Sequence, residues 1–149
     1  MNDSVLKAFE NLGFELKDHN EYAYAFDYEN LHLLLMKNPS DEAFLSIALP
    51  GYCDTDDTTE EVMAKTADEL NRELKYVKTY RMGDSLWLFY ERELFGDETV
   101  ETFEQVIERM VLRLVGGLQM ARKVIHELEN PESTDASDEA SDSDDENND

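Results

Sequence analysis

The chain has 149 residues, 36 of them acidic and 13 basic, which gives a net charge of −23 and an isoelectric point near 4.2. Its length suits one domain with a hydrophobic core rather than two. Such an acidic chain, without any basic cluster, repels phosphate backbones and excludes nucleic-acid binding. The single Cys53 cannot form an internal disulfide, the start of the chain has no leader-like segment, and no apolar run reaches the length of a membrane span. We therefore expect a cytoplasmic protein that does not bind membranes.

The first third of the chain predicts one helix and a three-stranded meander. Apolar residues from Val5 to Leu12 have helical spacing, and Gly13 follows as a natural stop. The stretch "EYAYAFDYE" then has an aromatic ring at every second position, which is typical of a strand with two unlike faces. A turn at Glu29–Asn30 leads into a strand over 31–37, and a third strand, "AFLSIALP", ends at Pro50–Gly51.

The acidic segment "DTDDTTEE" at 54–61 predicts a helix start rather than a calcium loop. An EF-hand loop that began at Asp54 would need glycine and an acid where the sequence has Thr59 and Lys65. Thr58 as N-cap with Glu61 forms a capping box, so we expect a helix over 58–74.

The second half predicts a hairpin and a long helix. Strands 76–82 and 85–95 are joined at Gly83–Asp84, and an apolar stripe over about 98–129 has helical spacing across Gly116–Gly117. A helix of that length must overhang, bend at the glycines, or pack on something else. The order α-β-β-β-α-β-β-α predicts an α+β fold with an antiparallel five-stranded sheet.

The composition changes after Asn130. Residues 131–149 contain nine acidic and no basic residues, so residues 1–130 keep a net charge of −14. We expect 1–130 to be the folded domain and 131–149 a disordered acidic tail. The tail would serve for solubility, as bait for a basic partner, or as an intramolecular cover.

Two strands are apolar on both faces. In strand 31–37, Leu34 and Met36 lie on the face opposite to the remaining leucines. In strand 85–95, Trp87 and Phe89 lie opposite to Leu86 and Leu88. We therefore expect something to cover the second face of the sheet. Ala23 and Ala25 suit a close helix, which would place the aromatic row on the face available to a partner. A purely structural role for these rings is the alternative. The candidate partner-binding residues are Tyr22, Tyr24, Phe26, Tyr28, Trp87 and Phe89.

No motif indicates catalysis, a cofactor or a metal. Cys53 with His19, His32 or His126 is the conceivable nucleophile and base, but the acids beside Cys53 would raise the pKa of its thiol. We expect His32, which alternates with leucines, to be buried. The sequence predicts no enzyme.

Three stretches resemble the bacterial YbjN-domain family, which has the type III secretion chaperone-like fold: "FLSIALPGY", "VKTYRMGDSLWLFYERELF" and "GDETVETFEQVIERMVLRL". The resemblance spans about residues 5–129 and carries no catalytic residues. It implies a non-enzymatic, homodimeric protein-binding module that holds an extended or amphipathic partner segment, with regulation as one role for it. The alternative is an acidic buffer or mimic that sequesters a basic protein.

Overall fold

Three helices and one antiparallel sheet make up the computed structural model, which describes residues 2–131. The predicted disordered tail lies, apart from Pro131, outside the described residues. The elements in chain order are α1 (Asp3–Asn11), β1 (Lys17–Asp18), β2 (Ala23–Tyr28), β3 (Leu31–Met36), β4 (Phe44–Asp54), α2 (Glu60–Glu73), β5 (Val77–Met82), β6 (Ser85–Glu93) and α3 (Val100–Glu129).

The sheet has six strands in the order β1-β2-β3-β4-β6-β5, so the prediction of five is wrong by one. The missed strand, β1, consists of only Lys17 and Asp18, which pair with Ala25 and Tyr24. A strand is recognised in a sequence by the alternation of its residues, and a strand of two polar residues is too short to show it. The α+β class and the order of the other elements are confirmed.

Each helix begins at a side-chain cap. The side chains of Asn2, Thr59 and Thr99 accept hydrogen bonds from backbone N–H groups within the first turns. The cap of α2 is therefore Thr59, whose hydroxyl bonds the N–H of Val62 at 3.1 Å, and not Thr58 as predicted. The sequence pattern of an N-cap fits either of the two adjacent threonines. The extended backbone conformation of Thr59 and its side-chain hydrogen bond identify it as the cap.

Strand β4 continues through Pro50–Gly51, where we expected it to end. Its pairing with β6 shifts between Leu49 and Cys53, so these residues form a bulge. Proline is tolerated at a bulge because the ladder needs no N–H there, and Gly51 has a φ of 58°, which suits glycine. The predicted turn at Glu29–Asn30 is confirmed, with φ values of 46° and 68° as in a two-residue hairpin loop.

Helix α3 is one uninterrupted helix of 30 residues. It is the common support of the helix layer, because both α1 and α2 pack against it. Gly117 is buried, and a Cβ there would meet the side chains of Leu74 at 3.4 Å and Leu88 at 3.5 Å, so side chains rather than a second backbone approach it. No helix within residues 2–131 is long and apolar enough to cross a membrane.

The main core lies between this helix layer and one face of the sheet. Fully buried members include Phe9 of α1, Leu33 of β3, Ile47 of β4, Leu88 of β6 and Ile107 of α3. All three helices contribute to this cluster, so no helix of residues 2–131 covers the second face of the sheet.

Candidate functional site

The aromatic row of β2 faces the helices, which reverses the predicted assignment of the two faces. Phe26 is 2% exposed and packs edge-on against Phe9 with ring centroids 5.0 Å apart. Phe14 contacts both rings, at 6.0 and 5.2 Å. Phe26 is therefore a core residue in this chain.

The three tyrosines of the row lie at different depths. Tyr28 is partly buried against Phe14, and Tyr24 lines a cleft of about 500 Å³ beside α1, with Lys37 4.6 Å from its ring centroid. Tyr22 precedes the strand and is 64% exposed. The predicted row is thus not one continuous surface.

Ala23 and Ala25 lie instead on the helix-free face of the sheet, which we call the open face. A row of paired residues runs across it from Ala25 through Leu34 and Ala48 to Phe89. Leu34, Ala48 and Phe89 are between 0 and 8% exposed, although no helix residue belongs to their cluster. Neighbours on the same face therefore shield them.

An aromatic stack shields one half of the open face. The ring of Tyr80 lies 4.5 Å from that of Phe89 at an interplanar angle of 5°, and Trp87 stacks on Phe89 at 5.9 Å and 19°. Tyr80 and the nearby Met82 are each 40% exposed. The structure thus brings the predicted Trp87 and Phe89 together and adds Tyr80 and Met82 to them.

Charged side chains flank the stack. Lys78 forms an ion pair with Glu91 and lies 5.6 Å from the centroid of Tyr80. The hydrogen bond to Glu91 raises the pKa of Lys78 from its ordinary value. The open face therefore has an apolar and aromatic centre with paired charges at its margin.

The adjacent sheet edge is partly closed to strand addition. In the edge strand β5, the N–H of Thr79 donates to the side-chain oxygen of Asn71 at 2.8 Å, and the side-chain nitrogen of Asn71 donates to the Thr79 carbonyl at 3.0 Å. The side-chain amide of Asn71, a residue of α2, thus already bonds the N–H and C=O groups of Thr79 that an added strand would use.

Sequence reasoning missed Tyr80 and Met82 because β5 shows no apolar repeat, with burial confined to Val77 and Thr79. The signal that identified the open face was the two-sided apolar character of β3 and β6. The register places the second faces of these two strands on either side of β4.

The conceivable nucleophile Cys53 is buried, at 3% exposure. Burial, and then the charges of Asp57, Glu129 and Asp54, raise the pKa of its thiol, which is the direction the sequence predicts. His126 lines the same small cleft, but a thiol that resists ionisation is a poor nucleophile.

His32 is exposed and not buried as predicted. Its side chain is 85% exposed and bonds Asp27 on the neighbouring strand. The Asp cluster is a turn in which the carboxylate of Asp54 accepts from the N–H groups of Asp56 and Asp57. The part of the chain that the structure describes contains no group of three His, Cys, Asp or Glu placed to hold a metal.

Comparison with known proteins identifies the fold. No family model and no curated protein sequence matches the chain. Among solved structures it is similar to YbjN of E. coli, a candidate transcription regulator, with a TM-score of 0.58 at 12% identity over 81% of this chain and 90% of that one. It also matches the Yersinia pestis type III secretion chaperone SycH, solved in complex with a fragment of YscM2, with a TM-score of 0.47 at 14% identity over 76% and 96% of the chains. The predicted structural relationship to YbjN is confirmed at the level of the fold.

Proposed function

We propose that this protein is a non-enzymatic protein-binding module that holds an extended or amphipathic segment of a partner on its open face. The observation that carries the proposal is the helix-free sheet face with its stack of Trp87, Phe89 and Tyr80. Large rings contribute contact area at a small cost in side-chain entropy, which is why they are enriched at protein interfaces.

The chemistry of the face specifies the segment. Its accessible apolar side chains include Met36, Trp87 and Tyr80, so the partner should present apolar side chains there. The net charge of −14 within residues 1–130 favours basic residues beside those apolar ones, because they are attracted over several ångströms.

Docking on the face fits this sheet better than strand addition at β5. The Asn71 side chain already pairs with both backbone groups of Thr79, and a partner strand would have to displace it.

The experiment uses the only tryptophan of the chain as a reporter. A synthetic peptide with alternating valine and lysine is titrated into the full-length protein while Trp87 emission is recorded. We expect a saturable change that persists at about 0.5 M salt, where the Debye length falls to a few ångströms.

Matched variants separate the open face from other exposed apolar sites. Y80S/M82S should weaken peptide binding at least about tenfold, which is 1.4 kcal/mol. L112S changes a residue of α3 that is 51% exposed and should leave binding unchanged. Equal binding by all three proteins, or no emission change at any peptide concentration, would contradict the proposal.

A homodimer is a second use of the same face. Trp87 emission that depends on protein concentration, together with a dimer in sedimentation velocity that Y80S/M82S abolishes, would assign the face to a second copy.

The acidic alternative rests on the 36 acidic residues against 13 basic ones. It predicts peptide binding that disappears at about 0.5 M salt and does not depend on Tyr80.

A further inference from the structure

Three arginines converge on a cleft between α3 and the sheet. Arg92 comes from β6, and Arg109 and Arg113 lie one turn apart on α3. The cleft has a volume of about 230 Å³, and none of its lining residues is acidic. We call it the arginine cleft.

These arginines lack ion-pair partners within residues 2–131. None of the three takes part in an ion pair of the described chain, in contrast to Arg72 and Arg81. The Nε of Arg92 is buried and has no hydrogen-bond partner there. Arg92 does lie in the field of Glu98, but the carboxylate of Glu98 is bonded by the N–H groups of Phe95 and Gly96.

Aromatic contacts hold the cleft in shape. The guanidinium of Arg113 lies 4.8 Å from the ring centroid of Tyr76, which stacks on Tyr90 at 5.9 Å and 13°. Tyr76 has a φ of 68°, a left-handed conformation that is uncommon for an aromatic residue. The contacts of Tyr76 with Arg113 and Tyr90 therefore help to offset the free-energy cost of this left-handed backbone conformation.

The chemistry of the cleft is that of an oxyanion site. Guanidinium groups bind carboxylates and phosphates through paired, charge-assisted hydrogen bonds. In a chain with 36 acidic residues, three arginines without a carboxylate partner indicate that the anion comes from outside residues 2–131.

We propose that the arginine cleft binds oxyanions and that its occupant is the acidic segment 132–149 of the same chain. This segment contains nine acidic and no basic residues, and it follows the end of the helix that carries Arg109 and Arg113.

The distances permit this contact. Sixteen residues separate Arg113 from Glu129, which is about 24 Å along a helix. Eighteen residues reach at most about 60 Å when fully extended, so the segment is long enough to cover this distance. Attachment to the domain gives the segment an effective concentration in the millimolar range, which helps it against the repulsion of an acidic surface.

Other cations near the end of α3 are less suitable. Arg122 lines a cleft that also contains Asp57 and Glu129, and Lys123 lines one that contains Glu69 and Glu73. A carboxylate entering either cleft meets like charge, whereas the lining of the arginine cleft has none.

The test attaches a nitroxide to full-length protein at Ser143→Cys, while the buried Cys53 stays unlabelled. At low salt we expect the amide signals of residues 102–113 to lose at least half of their intensity. R109Q/R113Q should restore the signals, and R122Q/K123Q, which removes the same two charges elsewhere, should not. Broadening that is absent, or equal in both variants, would overturn the assignment to the tail.

A second measurement tests the oxyanion chemistry itself. Pyrophosphate is titrated into wild-type protein and into a full-length variant whose nine tail acids are changed to Asn or Gln. We expect the neutral-tail variant to bind pyrophosphate at least about tenfold more tightly than wild type, because the tail no longer competes. No shift of the signals around Arg109 in the neutral-tail variant would overturn the oxyanion site.

Discussion

At the scale of single residues, Phe26 shows that alternation alone does not say which face is buried. The repeat in "EYAYAFDYE" sets alternate residues on opposite faces, but either set can face the core. Phe9 and Phe14 supply the aromatic contacts that bind the larger rings to the helix side. The small alanines are left to the open face, where same-face neighbours cover them.

F26A should reduce the free energy of unfolding by about 3–5 kcal/mol, because it empties a core site between two rings. Y22S should change it by no more than about 0.5 kcal/mol, since Tyr22 is 64% exposed. Urea unfolding followed by circular dichroism measures both. Similar effects of the two substitutions would contradict the core assignment of Phe26.

Tyr52 is expected to make stability depend on alkaline pH. Burial raises the pKa of Tyr52 to about 12. The hydroxyl of Thr79 donates to the Trp87 carbonyl, so Tyr52 donates to Thr79 at 2.8 Å and loses that bond on ionisation. Below pH 10 the phenol is neutral in both states, and its contribution to stability is fully present. Between pH 10 and 12 the unfolded chain loses this proton first, which lowers stability by up to about 2–3 kcal/mol.

Y52F supplies the control for this prediction. Urea unfolding of wild type and Y52F is compared from pH 9 to pH 12. The difference in stability between the two proteins should shrink or reverse as the pH rises, and a constant difference would be the contrary result.

At the scale of elements, the helix caps define the boundaries. T59A should destabilise the protein by about 1 kcal/mol, because the N–H of Val62 loses its acceptor. T58A should have an effect within about 0.5 kcal/mol, as expected for a substitution outside the cap. Thermal unfolding of the two variants measures both effects, and a larger loss of stability in T58A would show that Thr58 is the N-cap, as the sequence pattern predicted.

Elements with a clear repeat were predictable, and short or interrupted ones were not. The stripe of α3 and the turn at Glu29–Asn30 were identified because each carries a local signal, helical spacing in one and a two-residue hairpin turn in the other. Strand β1 and the continuation of β4 through Pro50 depend on pairing with another strand rather than on a repeat of their own. Of the candidate site, Trp87 and Phe89 were predicted as one surface with the aromatic row of β2, but the structure puts the two sets on opposite faces of the sheet. Tyr80 and Met82 required the register between β5 and β6.

At the scale of the whole molecule, charge repulsion opposes the compact state. Surface ion pairs such as Lys65–Glu61 contribute about 0–1 kcal/mol each, and salt weakens them. A net charge of −23 produces repulsion over many more pairs, which salt weakens as well. The repulsion is the larger effect because acidic residues outnumber basic ones almost threefold.

Raising sodium chloride from about 20 mM to about 0.5 M should therefore raise the thermal midpoint by several degrees. Differential scanning calorimetry measures the change. The neutral-tail variant, which carries nine fewer charges, should gain less. A midpoint that falls with salt would show that the ion pairs outweigh the repulsion.

The amino-acid sequence by itself determined the α+β class, the approximate position of eight elements, the acidic character and the two strands that are apolar on both faces. Those properties follow from composition and local repeats, which each segment carries alone. Only the tertiary structure decided which face of β2 is buried, that Tyr80 completes the aromatic stack, and that Arg92 meets Arg109 and Arg113. These depend on strand register and on the packing of α3 against the sheet, and contacts between residues distant in sequence set both.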